Sequence, residues 1–199
     1  MARGKFIALE GIDGAGTTTQ CRLLGEALTR RGIRAYLTAE PSQGPVGRLL
    51  REALQKKHGI EDLTLVPLFA ADRLDHLSRE IIPRLTDGVV VITDRYTLSS
   101  LAYQSMAAPF DYVKAVNEHA RHADLNVFVR VSPEIADRRR RERGGAGERF
   151  DDNHAQIEIA QRYERLLGCA GNHVVVNGDR PVDVVHTAIT EHIDKLLEA

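Results

Sequence analysis

The chain has 199 residues, with 27 Lys and Arg against 28 Asp and Glu, 43% apolar and 28% charged. That composition excludes collagen, coiled coil and disordered chains. A net charge of −1 gives no long-range pull on polyanions, which argues against a general nucleic-acid binder or a binder of anionic membranes. At this length one domain spanning 1–199 is expected. No stretch approaches the ~18 apolar residues of a membrane span, and no signal-peptide core is present, so the expected location is the cytoplasm. Cys21 and Cys169 lack CxxC spacing and read as buried free thiols.

In chain order, short apolar runs alternate with three-and-four helical spacing. A strand at 5–10 leads to a helix at 18–31, and a strand at 34–39 to helices at 46–56 and 63–85, the last weakened near its end by Pro83. A strand at 89–93 precedes a helix at 111–122, and a strand at 126–131 precedes helices at 133–143 and 153–167. The fifth strand, 173–177, leads to a closing helix at 182–197. Alternation of this kind predicts an α/β fold around a parallel sheet. One compositional break interrupts it. Residues 138–149 hold six arginines and the run Gly144-Gly145-Ala146-Gly147, which reads as a mobile loop.

The first chemical signal lies between the first strand and the first helix, in Gly11-Ile12-Asp13-Gly14-Ala15-Gly16-Thr17-Thr18-Thr19. A phosphate loop needs glycines so that successive N–H groups point into one concavity, followed by a helix N-terminus that holds negative charge. The GxxxxGK[ST] pattern is met at Gly11, Gly16 and Thr18, but Thr17 stands where the lysine belongs. A dinucleotide loop fits worse, because the glycines fall as GxxGxG. The second signal is Asp94-Arg95-Tyr96 at the end of the third strand, followed by Ser99, Ser100, Tyr103 and Gln104. A strand-end carboxylate can orient Mg²⁺ and an adjacent arginine can clamp a phosphate, although such a pair also occurs as a plain surface ion pair. The third is Phe69 and Arg73, four apart on one helical face, where a ring and a guanidinium can hold a flat base. Phe69 alone reads as core.

These residues are joined by Glu40-Pro41 after the second strand, Gly47 and Arg51 in the next helix, and LFAADR ending at Arg73. SSLAYQ from Ser99, SPEIA from Ser132 and Glu148-Arg149-Phe150 complete the series. In that order and spacing the chain resembles the thymidylate kinase family over nearly its whole length, and Gly14 with the lid arginines resembles the bacterial subtype. The resemblance implies a P-loop nucleoside monophosphate kinase fold, with a five-stranded parallel sheet in order 2-3-1-4-5. It implies a homodimer packed through helices and a lid at about 138–150. The reaction it implies is transfer of the γ-phosphoryl group of ATP to dTMP with Mg²⁺, giving dTDP and ADP. By the same resemblance Gly11, Gly14, Ala15, Gly16, Thr17, Thr18, Thr19 and Arg139 bind ATP, and Thr18 and Asp94 hold the metal. Phe69 stacks on thymine, Arg73 and Gln104 address its polar edge near Ser100, and Tyr103 lies under the deoxyribose. Asp13 and Glu40 lie near the 3′-hydroxyl and metal, Arg95 and Arg51 hold the acceptor phosphate, and Arg139, Arg143 and Arg149 close over ATP. Another nucleotide or deoxynucleoside kinase of the same fold, and a catalytically weak nucleotide binder, are the alternatives.

Three positions depart from the family pattern: Thr17, Ala39 where arginine often precedes Glu-Pro, and Arg130 where the fourth strand usually carries Asp or Asn. With 22 arginines and five lysines in the chain, a replacement for the loop lysine is expected to be an arginine. Strand order places Arg130 beside the loop, as a catalytic cation. Lid arginines are the second reading, and an outward Arg130 paired with a helix carboxylate is the third.

Overall fold

The structure, a computed structural model, describes residues 4–55, 58–144 and 153–198. At its centre five parallel strands run in the order β2-β3-β1-β4-β5. They are β1 (Phe6–Glu10), β2 (Ala35–Ala39), β3 (Val90–Asp94), β4 (Leu125–Arg130) and β5 (His173–Asn177). Every residue of β1 is buried, as are all but the last of β3 and β4, whereas the edge strands β2 and β5 are half exposed. Strands covered on both faces need apolar residues at successive positions, so the central runs are continuous rather than alternating.

The helices are α1 (Thr17–Arg30), α2 (Pro45–Leu54), α3 (Asp62–His76), α4 (Ile82–Thr86), α5 (Thr97–Gln104), α6 (Phe110–Val116), α7 (Pro133–Arg143), α8 (Asn153–Leu166) and α9 (Val182–Glu198). On one sheet face Ile7, Leu9, Val127 and Val129 pack against Leu24 and Leu28 of α1, Ile159 and Tyr163 of α8, and Ile189 and Ile193 of α9. On the other, Phe6, Ala8 and Val91 meet Tyr96, Leu77, Ile81 and Leu85. Among the described residues no helix is long and apolar enough to cross a membrane.

Three helical expectations are corrected. The single helix at 63–85 is α3 and α4 joined by a five-residue π-helical turn, Leu77–Ile81. Pro83, which has no N–H to donate, falls in the first turn of α4, where that loss costs least. The helix expected to reach 122 ends at Val116, because the Asn117 amide donates to the Val113 carbonyl (2.8 Å) and accepts from Arg73, drawing the side chain into competition with the backbone. Helix α5 left no periodic trace, since seven of its eight residues are buried and it has no polar face. Cys21 is buried as expected, but Cys169 is exposed.

Candidate active site

Residues 11–16 connect the carboxyl end of β1 to α1. Gly14 and Gly16 have φ of 92° and 91°, a left-handed conformation that costs little only for glycine. A Cβ on Gly14 would lie 2.4 Å from the Ala136 carbonyl oxygen, so α7 is pressed against the loop. The first turn of α1 carries no acidic residue, which leaves its N–H groups and positive dipole end available to an anion. The Thr18 hydroxyl donates to Asp94 Oδ2, while Asp94 Oδ1 is buried without a hydrogen-bond partner. A hydroxyl beside a carboxylate with an unsatisfied oxygen suits Mg²⁺, a hard cation that keeps several waters and takes few protein ligands. The residues present therefore fit the ion.

Across the loop, the Arg95 guanidinium pairs with Asp13 Oδ1, donates to the Gly11 carbonyl at 3.1 Å and lies 4.9 Å from the Tyr103 ring centre. Arg95 is the one described non-glycine residue with positive φ, at 71°, a strained backbone that aims its side chain between the loop and the adjacent cleft. Asp13 is held from a second side: its N–H donates to Gln156 Oε1 at 3.1 Å, and Gln156 Nε2 donates to its Oδ2 at 3.0 Å. Burial pushes the Tyr103 phenol up, against the pull of Arg95.

The cleft beside Arg95 is lined by Asp13, Glu40, Phe69, Arg73, Ser100, Tyr103 and Gln104, among others. It thus gathers most of the expected acceptor-site residues from four parts of the chain. Arg73 and Glu40 are paired at 2.6 Å, their side chains only 2% and 3% exposed. Arg73 also donates to Ser100 Oγ (3.0 Å), to the Tyr96 carbonyl (3.1 Å) and to Asn117. Two buried polar atoms in this wall have no hydrogen-bond partner, Arg73 Nε and Gln104 Oε1. Phe69 packs beside Leu50, Ala53 and Leu65 and also lines the cleft, so it is core and cleft wall at once. Arg51 donates to the Pro41 carbonyl (2.8 Å) and to Gln43 Oε1 (3.0 Å), at the mouth of the loop that follows β2.

Arg130 is corrected. Its guanidinium makes a two-point pair with Glu164 (2.5 and 2.6 Å), with the two side chains 52% and 42% exposed. The arginine is the last residue of β4, where the strand leaves the sheet and the side chain turns outward to α8. It therefore belongs to the third reading above. Arg139 does reach the loop region, donating to the Gly178 carbonyl at 2.9 Å and toward the Ala15 carbonyl at 3.5 Å. Arg149, the Arg143 side chain and the lid beyond residue 144 lie outside the described residues.

Several site residues escaped the sequence. Gln156 is a polar residue on the buried stripe of α8 that includes Ile159 and Tyr163, a phase signal visible in the spacing. Glu10, an acid at the end of an otherwise apolar strand, accepts the Leu98 and Ser99 N–H groups at the start of α5 (both 3.1 Å) and the Ser99 hydroxyl. Burial pushes its carboxyl up to about 7, against the hydrogen bonds from Ser99 and the charge of Arg95. Ser99 Oγ and the Tyr163 hydroxyl lie 2.7 Å apart, and Tyr163 donates to the Gly11 carbonyl at 3.2 Å. A buried network thus joins β1, α5 and α8 directly beneath the loop.

A glycine loop between a central parallel strand and a helix, with a hydroxyl–carboxylate pair beside it and a cleft lined from four parts of the chain at the strand ends, defines a P-loop kinase fold. The family model described as thymidylate kinase matches residues 9–189. A probable thymidylate kinase of Pyrobaculum aerophilum is 39% identical over 180 residues, covering 90% of this chain and 91% of the relative. One from Pyrococcus abyssi is 36% identical over 193 residues, covering 94% of each. The chain belongs to the thymidylate kinase family. These relatives are archaeal, so they carry the family and give no support to the bacterial subtype.

Proposed function

We propose that this protein transfers the γ-phosphoryl group of ATP to dTMP, forming dTDP and ADP, as a single P-loop kinase domain acting in the cytoplasm. The observation that carries the choice of base is the pair of unsatisfied atoms in the cleft. Arg73 Nε is a donor and Gln104 Oε1 an acceptor, and thymine presents the complement, an O4 acceptor beside an N3–H donor. Cytosine presents the reverse and would leave both unpaired, at about 1–3 kcal/mol per buried group. Phe69 supplies the stacking surface, and Tyr103 crowds the side of the sugar where a 2′-hydroxyl would project.

The acceptor oxygen belongs to a phosphate whose second pKa is ~6, so it is ionised near neutrality and needs no base. It forms the new P–O bond to the γ-phosphorus as the bond to the β–γ bridging oxygen breaks, and ADP leaves with that electron pair. Arg95 and Arg51 hold the acceptor phosphate, while the loop N–H groups and the start of α1 hold the donor. Positioning and charge neutralisation then carry the rate. Thr18 and Asp94 would hold Mg²⁺, which when bound neutralises charge on the donor's phosphate oxygens. The homodimer packed through helices that the resemblance implies would be tested by sedimentation.

The deciding experiment is an ADP-release assay with ATP, Mg²⁺ and dTMP, dCMP, dGMP, dTMP's ribose counterpart or thymidine. Turnover with dTMP at least tenfold above dCMP, and none with thymidine, is expected; equal rates with dCMP and dTMP would overturn the base assignment.

A further inference from the structure

A GxxxxGK[ST] loop places a lysine on the β- and γ-phosphates, and here that position is Thr17, a buried neutral side chain. We propose that Arg140 of α7 supplies the missing cation at the donor phosphates, an inference that rests on the reading of ATP as donor.

Helix phase puts it there. The fully buried Ala136 offers its backbone oxygen to the Gly14 contact, and Arg140 follows one turn later on the same face. Its Nη1 donates to the Asp13 carbonyl at 2.7 Å, and its side chain is only 8% exposed. The neighbouring Arg138 and Arg141 are 67% and 76% exposed and point to solvent. Arg139 makes its short contact to the Gly178 carbonyl beyond β5 (2.9 Å) and approaches the loop more loosely, at the Ala15 carbonyl (3.5 Å). Asp13 is therefore bracketed by two arginines, Arg140 on its carbonyl and Arg95 on its carboxylate. That is the junction between the phosphate loop and the acceptor cleft, where negative charge accumulates during transfer.

Charge count and elimination agree. Asp137 is shared by Arg140 (Oδ1, 3.3 Å) and Arg141 (Oδ2, 2.8 Å), so two cations meet one anion and one positive charge is left against the loop. A shielded, incompletely compensated guanidinium is stabilised by an incoming phosphate. No described lysine competes. Lys5 precedes the far end of β1, Lys114 lines a separate cavity with Asp111 and Glu118, and Lys195 follows Asp194, which pairs with Arg31 at the distal end of α1.

The test is a double-mutant cycle of Arg140→Gln and Thr17→Lys, with Arg138→Gln as the control on the same helix. Glutamine removes the charge but also shortens the side chain, and the Arg140→Lys variant, which keeps the cation, separates the two losses. Expected are a roughly 100-fold fall in kcat for R140Q, the scale on which one preorganised charge acts, and recovery of at least tenfold in T17K/R140Q. In parallel, affinity for a non-hydrolysable ATP analogue should fall about tenfold in R140Q and return in the double variant. This arm needs no acceptor. If the wild type fails to turn over dTMP, the functional reading fails while the binding arm still judges Arg140. R140Q within threefold of wild type in both kcat and analogue affinity overturns the proposal, and so does a loss that T17K does not repair. R140K, which keeps the cation, should retain more activity than R140Q; equal losses in the two variants mean that packing rather than charge is at stake, and also overturn it.

Discussion

Replacing Glu40 by glutamine should damage the acceptor cleft out of proportion to the single atom changed. The Glu40–Arg73 pair is almost fully shielded from water, and Arg73 makes its remaining contacts to neutral groups, the Tyr96 carbonyl, Ser100 and Asn117. Glutamine preserves volume and one acceptor oxygen, so packing is retained and the loss is electrostatic: a buried guanidinium without its counter-ion. Removing one partner from such a pair costs about 3–5 kcal/mol, a large part of the roughly 5–15 kcal/mol that separates a domain from its unfolded state. For a chain of this size, at about 2–4 °C per kcal/mol, the melting temperature should drop by roughly 6–20 °C. Urea denaturation followed by circular dichroism reads the effect as a lower midpoint with an unchanged slope, which separates lost stability from a change in compactness. On the proposed reading, dTMP should bind more weakly to Glu40→Gln, because Arg73 shapes the wall of the cleft. A midpoint shift equivalent to less than about 1 kcal/mol would mean that water reaches the pair, and the reasoning would fail.

The Glu10 carboxyl, held up to about 7 by burial against an ordinary 4.5, binds its proton in the folded state across a window in which the unfolded chain has released it. Its contribution to stability is therefore complete below about 4.5 and is lost as pH rises toward 7, by roughly 3 kcal/mol at about 1.4 kcal/mol per pH unit. A difference in stability between wild type and Glu10→Gln that stays flat from pH 5 to 8 would contradict this. Gly14→Ala forces a left-handed alanine against the Ala136 carbonyl, and the combined backbone and steric strain should cost about 2–5 kcal/mol and disturb ATP binding; thermal denaturation with and without nucleotide measures both. Arg130→Ala should change stability by less than about 1 kcal/mol and leave kcat unaltered, since its pair with Glu164 is half exposed; a tenfold loss of kcat would return that arginine to the site.

The sheet was legible because each central strand is buried on both faces, and the five apolar runs stand out to within a residue or so of their true ends. The phosphate loop was legible because glycine and hydroxyl spacing is a local property. What eluded the sequence is tertiary. Helix α5 is buried on nearly every side, so it has no amphipathic stripe, and the end of α6 is set by Arg73, 44 residues away from Asn117. Arg130 and Arg140 are the same residue type, and only helix phase and the turn at the end of β4 send one outward and the other onto the loop. Gln156 reaches Asp13 from 143 positions away, a distance at which no motif operates.

The register of the sheet also decides when the first strand can find its place. β1 pairs on one side with β3, Phe6 opposite Val91, and on the other with β4, Ile7 opposite Leu125. Neither neighbour has been synthesised when Phe-Ile-Ala-Leu-Glu leaves the ribosome. At about 5–20 residues per second, the partner strand β3 follows roughly 4–17 s later, and β4 later still. During that interval a strand of four apolar residues and one acid, with both edges unpaired, is exposed, and the glycines behind it have no sheet to hold their shape. The nascent chain is thus most vulnerable to aggregation before residue 90 is made. The same long-range pairing that centres β1 in the finished sheet means that the sheet cannot hold the phosphate loop in place until β3 and β4 have both been made.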